Sequence, residues 1–122
     1  MTKYVDGYVV PVKKSRVDEY RRMARKAGKI WLEHGALEYV ECIADDVQKG
    51  KVTSFPQALS LKRSEVAAFS WIGFRSRKDR DRVNNLVMDD PRLQAFKDVK
   101  KLPFDANRMF WGGFKPIVSL GK

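Results

Sequence analysis

Cysteine and histidine are nearly missing from this chain: Cys42 and His34 are the sole examples among 122 residues. A lone cysteine permits no intrachain disulfide and no cysteine-based metal cluster, and it suits a reducing compartment. The opening Met1-Thr2-Lys3-Tyr4-Val5-Asp6 lacks the apolar core of a secretory signal. No run approaches the roughly 18 apolar residues of a membrane-spanning helix. A cytoplasmic protein with no membrane partner is therefore expected. Phosphate-cradling glycine motifs are absent, and Ser70 has no nucleophile elbow around it. Asp45 and Asp46 are two adjacent carboxylates, whereas a metal needs several converging ligands. Neither a cofactor nor a metal is expected. Acidic residues are also in deficit, 15 against 25 Lys and Arg, for a net charge of +10. Such a charge favours anionic partners in general but names none.

What is present is a patterned apolar content of 43%, enough for one globular domain over 1–122. Tyr4–Val12 is β-branched and aromatic and reads as a strand. Ser15 is positioned to cap a helix, with Asp18 three residues on. Val17, Tyr20, Ala24, Ala27 and Trp31 then recur at helical spacing until Gly35 supplies a stop. Ala36–Ile43 is a second strand. A polar connection of about twenty residues follows, with a helical turn expected near Phe55-Pro56, and connections of that length are often functional or mobile. Val66–Phe74 is the third and most apolar strand. Ser76 and Asp79 open a helix ending near Met88. Asp90-Pro91 starts a short helix to about Val99. Arg108–Val118 is the fourth strand, with Pro116 suited to an edge and Gly112-Gly113 to a bulge or a close backbone approach.

The order β-α-β-β-α-β predicts an α+β, ferredoxin-like antiparallel sheet of strand order 4-1-3-2. A sheet with helices on one side ordinarily alternates apolar and polar residues. Here Phe69 and Trp71 lie on one face of the third strand, and Ala68, Ile72 and Phe74 on the other. Two helices cover one face. A second copy is expected to cover the other, giving a homodimer packed sheet to sheet.

Particular residues point to a family. Tyr4-Val5-Asp6-Gly7-Tyr8-Val9-Val10-Pro11-Val12, Gly35-Ala36-Leu37, Glu41-Cys42, Asp45-Asp46-Val47, Phe69-Ser70-Trp71-Ile72, Asp89-Asp90-Pro91-Arg92, Pro103-Phe104-Asp105 and Gly112-Gly113-Phe114 together resemble the YbaA-like family of uncharacterised bacterial proteins (domain of unknown function 1428). The resemblance spans nearly the whole chain. It implies a dimeric α+β barrel and carries no established activity. The basic tracts Arg21–Lys29 and Arg75–Arg82 depart from the family pattern.

The candidate chemistry is sparse. His34 continues the inward row of Ala27 and Trp31, where an imidazole is a candidate general acid or base, although a histidine there also caps helix carbonyls. Glu38 and Glu41 have opposite parity on the second strand, so they face opposite sides of the sheet. A carboxylate under cover is either a general base or half of a structural pair, with Arg108 the partner considered. Cys42 is expected to be a buried, inert thiol. The leading reading is a homodimer that binds or transforms a small molecule in a helix–sheet cleft near His34. His34, Glu38 and Glu41 are its catalytic candidates, and Tyr39, Trp71, Arg108 and Trp111 its lining. Two alternatives stand beside it. One is a polyanion-binding module, using Arg21, Arg22, Arg25, Lys26 and Lys29 on the outer face of the first helix, or Phe69, Trp71 and Tyr8 as base-stacking aromatics. The RNP1 signature of an RNA-recognition motif is missing around Val66-Ala67-Ala68. The other is an interaction protein without a ligand.

Overall fold

Alternating side chains with apolar residues at both parities make Tyr4–Lys13 (β1) a strand that can be buried on two sides. The computed structural model, which describes residues 1–122 apart from the side chain of Ala95, places β1 at the centre of a four-stranded antiparallel sheet. Its partners are Glu38–Ile43 (β2), Glu65–Phe74 (β3) and Phe110–Phe114 (β4), in the order β2-β3-β1-β4. This is the expected 4-1-3-2 order. Val17–His34 (α1) and Arg77–Met88 (α3) cover one face, and the short Phe55–Ala58 (α2) lies in the long connection.

Register decides which residues share a face. Tyr8 pairs with Ser70 on one side and Trp111 on the other, and Glu41 pairs with Ser70. Glu41, Ser70, Tyr8 and Trp111 therefore form one row across all four strands, on the face beneath α1. Val10, Val12, Ala68, Ile72 and Phe74 share that face and are buried. On the opposite face Gly7 stands between Trp71 and Gly112, and Val9 between Phe69 and Phe110.

The ends of the elements depart from the sequence expectation for physical reasons. Ser15 caps nothing: the chain leaves β1 through a 3-10 turn, Lys14–Arg16, and α1 starts at Val17 without a side-chain cap. Arg16 secures that start instead, donating from Nε to Glu19 Oε1 at 3.0 Å and from Nη1 to the Leu102 carbonyl at 2.9 Å. Gly35 ends α1 at φ 122°, with its N–H on the Leu32 carbonyl. Ser76 caps α3, accepting from the Asp79 amide at 3.0 Å. Asp90 accepts from the Arg92 amide only two residues on, and the short helix after it is a 3-10 helix, Pro91–Phe96, that stops before Val99. β4 stops at Phe114 because its partner runs out: Val5 pairs with Phe114, near the start of β1. Pro116 thus follows the strand. Gly112 and Gly113 stay in regular register, so there is no bulge. Gly113 is a close approach, since a Cβ there would lie 2.3 Å from the Tyr4 hydroxyl.

The long connection covers part of the second face. Leu59, 1% exposed, packs with Val9 and Ala67, and Phe55 meets Phe69 edge-on at 6.0 Å. Arg108 fastens this segment to the sheet. It pairs with the buried Glu65, donates to Asp105 Oδ2 at 2.8 Å, and donates to the Leu59 and Ser60 carbonyls at 3.1 Å. Replacing Arg108 by Ala strands a buried carboxylate, and thermal unfolding should record a loss of about 3 kcal/mol. Arg108→Lys should recover less than half of it, because one ammonium cannot serve two carboxylates and two carbonyls.

Candidate functional site

Between α1, α3 and the sheet lies a cavity of about 420 Å³. Its walls are apolar: Met23, Ala27 and Trp31 from α1, Met88 from α3, and Leu93, Phe104 and Met109 from the following segments. Its floor is the cross-strand row of Glu41, Ser70, Tyr8 and Trp111. Tyr8 and Trp111 stack at 5.7 Å with 17° between their planes. Tyr20 and Phe104 meet edge-on at the same centroid separation.

Glu41 is the chemical centre of this floor. Tyr20 donates its hydroxyl to Oε2 at 2.6 Å, and Tyr39 donates to Oε1 at 3.1 Å. Burial in the apolar cavity raises the Glu41 pKa above the ordinary carboxylate range, while the two tyrosine bonds act in the opposite sense. Burial and the neighbouring carboxylate push Tyr20 and Tyr39 up, so both remain donors across the physiological range. The arrangement is a carboxylate held on both oxygens, at a raised pKa, facing apolar space. It can accept a hydrogen bond or a proton from a bound molecule.

A second polar chain supports the wall. Asn84 on α3 accepts from Trp31 Nε1 at 3.0 Å and donates to Asp6 Oδ2 at 3.2 Å. Asp6 is fully buried, and burial raises its pKa despite Asn84 and Arg80. Arg80 lies 3.5 Å from Asp6 and donates to the Tyr4 hydroxyl at 3.0 Å. This chain fixes which way Asn84 points, and so fixes the Trp31 indole.

The sequence candidates are not all brought together. Glu41, Tyr39 and Trp111 line the cavity. His34 does not: its Nε2 lies 2.8 Å from Asp90 Oδ2, at the far end of α1. The hydrogen bonds from Arg92 and from His34 hold the Asp90 carboxyl well below its usual range. Glu38 and Trp71 lie on the opposite face, where Trp71 Nε1 donates to Glu38 at 3.1 Å. Arg108 holds Glu65 and Asp105 at the other end of the sheet, so neither Glu38 nor Glu41 is its partner. Cys42 is exposed, not buried, because β2 is an edge strand. Tyr8 does not join Phe69 and Trp71, since register places Gly7 on that face. Arg21, Arg22, Arg25, Lys26 and Lys29 are all exposed along α1. Among the described residues no group of three or more potential ligand side chains is placed to hold a metal. No helix is long and apolar enough to cross a membrane.

Tyr20, Ser70 and Asn84 went unrecognised as site residues. Tyr20 carried a signal, as an inward phenol that needs a hydrogen-bond partner when buried. Asp6 carried another, as a charge inside an otherwise apolar strand.

A raised pKa in the folded state means that Glu41 ionisation opposes folding as pH climbs above the value of the unfolded chain. Glu41→Gln stays neutral and keeps the shape. The melting temperature of the variant minus that of the wild type should therefore rise by a few degrees between about pH 4 and pH 8. A difference that stays flat or falls with pH would show Glu41 to be an ordinary surface carboxylate.

Two solved structures share this architecture at low sequence identity. A dimeric ferredoxin-like protein from an uncultured marine organism superposes with a TM-score of 0.59 at 6% identity, covering 99% of this chain and 100% of that one. A NIPSNAP domain protein from Burkholderia xenovorans gives 0.57 at 12% identity, covering 98% and 99%. Identity is far higher to the uncharacterised protein YbaA of Escherichia coli K12, at 47% over 116 residues, 95% of this chain and 97% of that one. The model of the family described as "Protein of unknown function (DUF1428)" matches residues 3–106. With most of the chain matched by that model and nearly half its residues shared with YbaA, the protein belongs to the DUF1428 family.

Proposed function

We propose that this protein is a homodimer, formed through the open sheet face, that binds a small, largely apolar molecule in the helix–sheet cavity with Glu41 as its polar anchor. The observation that carries the reading is Glu41 itself: a carboxylate fixed by two phenols on the floor of an apolar space, where an unused charge would only destabilise the fold. A ligand presenting a hydroxyl or another acidic hydrogen would satisfy the remaining lone pairs, and proton transfer is available to it through the same group. Glu41, and not His34, is the group placed to move a proton in this reading, while Glu38 on the far face takes no part in the cavity.

Dimerisation is supported from the other face. Val5, Phe69, Trp71, Phe110 and Phe114 line an apolar concavity of about 560 Å³, and Phe69, Phe110 and Phe114 are 44%, 45% and 65% exposed. A contiguous aromatic patch of this kind marks an interface. The marine ferredoxin-like neighbour is itself described as dimeric. With the face covered in this way, its aromatics are not offered to nucleic-acid bases. The setting is a cytoplasmic one, consistent with a single exposed thiol.

Two measurements test the two halves. Light scattering at micromolar concentration should give a dimer mass, and Trp71→Glu should give a monomer; a wild-type monomer would overturn the assembly. A metabolite library screened by thermal shift should yield hits, since a ligand at a hundred times its Kd adds about 2.7 kcal/mol. Ala27→Phe, which fills the cavity, should abolish those shifts, and Glu41→Gln should reduce them. Shifts that survive both substitutions would place the ligand elsewhere.

A further inference from the structure

One charge and many rings meet in the helix–sheet cavity. Among the described residues Glu41 is the sole carboxylate that lines it, and no lysine, arginine or histidine does. Burial and two phenols act on the ionisation of Glu41, with no cation among them. Each carboxylate oxygen takes one phenol hydrogen bond, at 2.6 and 3.1 Å, and keeps a further lone pair. Ser70, its cross-strand neighbour, lines the same space. Three ring pairs enclose that space: Tyr8 with Trp111, Tyr20 with Phe104, and Trp31 with Tyr39, at centroid separations of 5.7, 5.7 and 5.9 Å. Ring faces are electronegative and attract a cation within about 6 Å of their centres. An anion here would meet Glu41 with no compensating charge, and a neutral alcohol would leave the carboxylate charge unpaired. A cation satisfies the carboxylate and the rings together. The basic residues of α1 do not supply it, because Arg21, Arg25 and Lys29 line a separate concavity on the outer side of Tyr39 and Glu41. The floor row crosses all four strands, which puts Trp111 about 14 Å from Glu41, at three strand spacings. The charge thus stands at one end of the floor and a stacked aromatic pair at the other.

We infer that the ligand is a protonated organic amine, with an N–H of its ammonium group on Glu41 and a flat apolar body lying toward Tyr8 and Trp111. This rests on the cavity reading above and adds the chemical class: the acidic hydrogen that Glu41 accepts belongs to a cation. One carboxylate balances one positive charge. Tyr20 and Tyr39 hold the carboxylate in place, and the Ser70 hydroxyl, next to Glu41 across the strands, can accept a second N–H of a primary ammonium. The ammonium in turn offsets the cost of keeping Glu41 charged in apolar surroundings.

Ligand-observed NMR titration with three probes of matched shape tests it: 2-phenylethylamine, 2-phenylethanol and phenylacetate, at about pH 7.5, where the amine is protonated. The amine should bind roughly tenfold more tightly than the alcohol, since a charge-assisted hydrogen bond replaces a neutral one. Phenylacetate should bind more weakly than either. Glu41→Gln removes the charge and keeps the shape, so amine and alcohol should then bind equally. Ala27→Phe should abolish binding of both, with circular dichroism verifying that the variant is folded. Equal affinity of the wild type for amine and alcohol, or a preference for phenylacetate, would overturn the ammonium assignment and leave the cavity reading standing. A preference for the amine that persists in Glu41→Gln would overturn it as well, because the cation would then sit elsewhere. Absence of binding by all three would overturn the cavity reading and this inference with it.

Discussion

β1 and β3, 10 residues each, pair along their whole length, and the position of every functional group follows from that ladder. Because side chains alternate, a slip of one residue would exchange the two faces. Asp6 and Tyr8 would then stand among exposed aromatics, and Gly7 and Val9 would face the helices. The observed register instead stacks Glu41, Ser70, Tyr8 and Trp111 in one line beneath α1, and gathers Phe69, Phe110 and Phe114 behind them. Both the cavity floor and the aromatic face are therefore consequences of a single backbone alignment.

Polar groups under the helices tie that alignment to the walls. Asp6 is buried near Arg80, and through Asn84 it sets the orientation of Trp31. Buried ionic pairs contribute little net stability, but breaking one leaves a charge without compensation. Their effect here is geometric: α3 can dock only where Arg80 and Asn84 both reach β1. On the other side of the cavity, Gly28 lets α1 settle against Tyr39, whose hydroxyl holds Glu41. The two helices are thus located by different means, one by charge and one by the absence of a side chain. Glu41 lies on the α1 side of that division.

Much of this architecture was legible in the amino-acid order. Two-faced apolar strands announced a sheet with a second apolar face beyond the one its helices cover, and strand order followed from the β-α-β-β-α-β pattern. Parity correctly set Glu38 apart from Glu41. Other features were hidden because they depend on register or on distant partners. Nothing in Ala36–Ile43 says that Glu41, and not His34, would meet the cavity, since the contacts of His34 are set by Asp90, 56 positions away. Arg108 could be matched to a carboxylate but not to the right one. Ser15 has the chemistry of a cap, but the 3-10 turn Lys14–Arg16 moves the start of α1 past it. The long connection gave no sign that Leu59 would close one end of the second face.

The central place of β1 has a consequence for how the chain acquires its structure. Both of its partners lie far along the chain, β3 beginning at Glu65 and β4 at Phe110. Distant pairings carry loop-closure entropy and slow the search for the native state. A nascent chain carries β1 without its β3 neighbour until Glu65 has been synthesised, and β1 keeps its other edge open until Phe110. Through that interval the apolar run Val9-Val10-Pro11-Val12 is a sticky, half-made edge. Pro11 within it has no N–H to offer a foreign strand. The same proline is fully buried in the finished protein, so a residue that ends as core spends the folding phase as protection against misassociation.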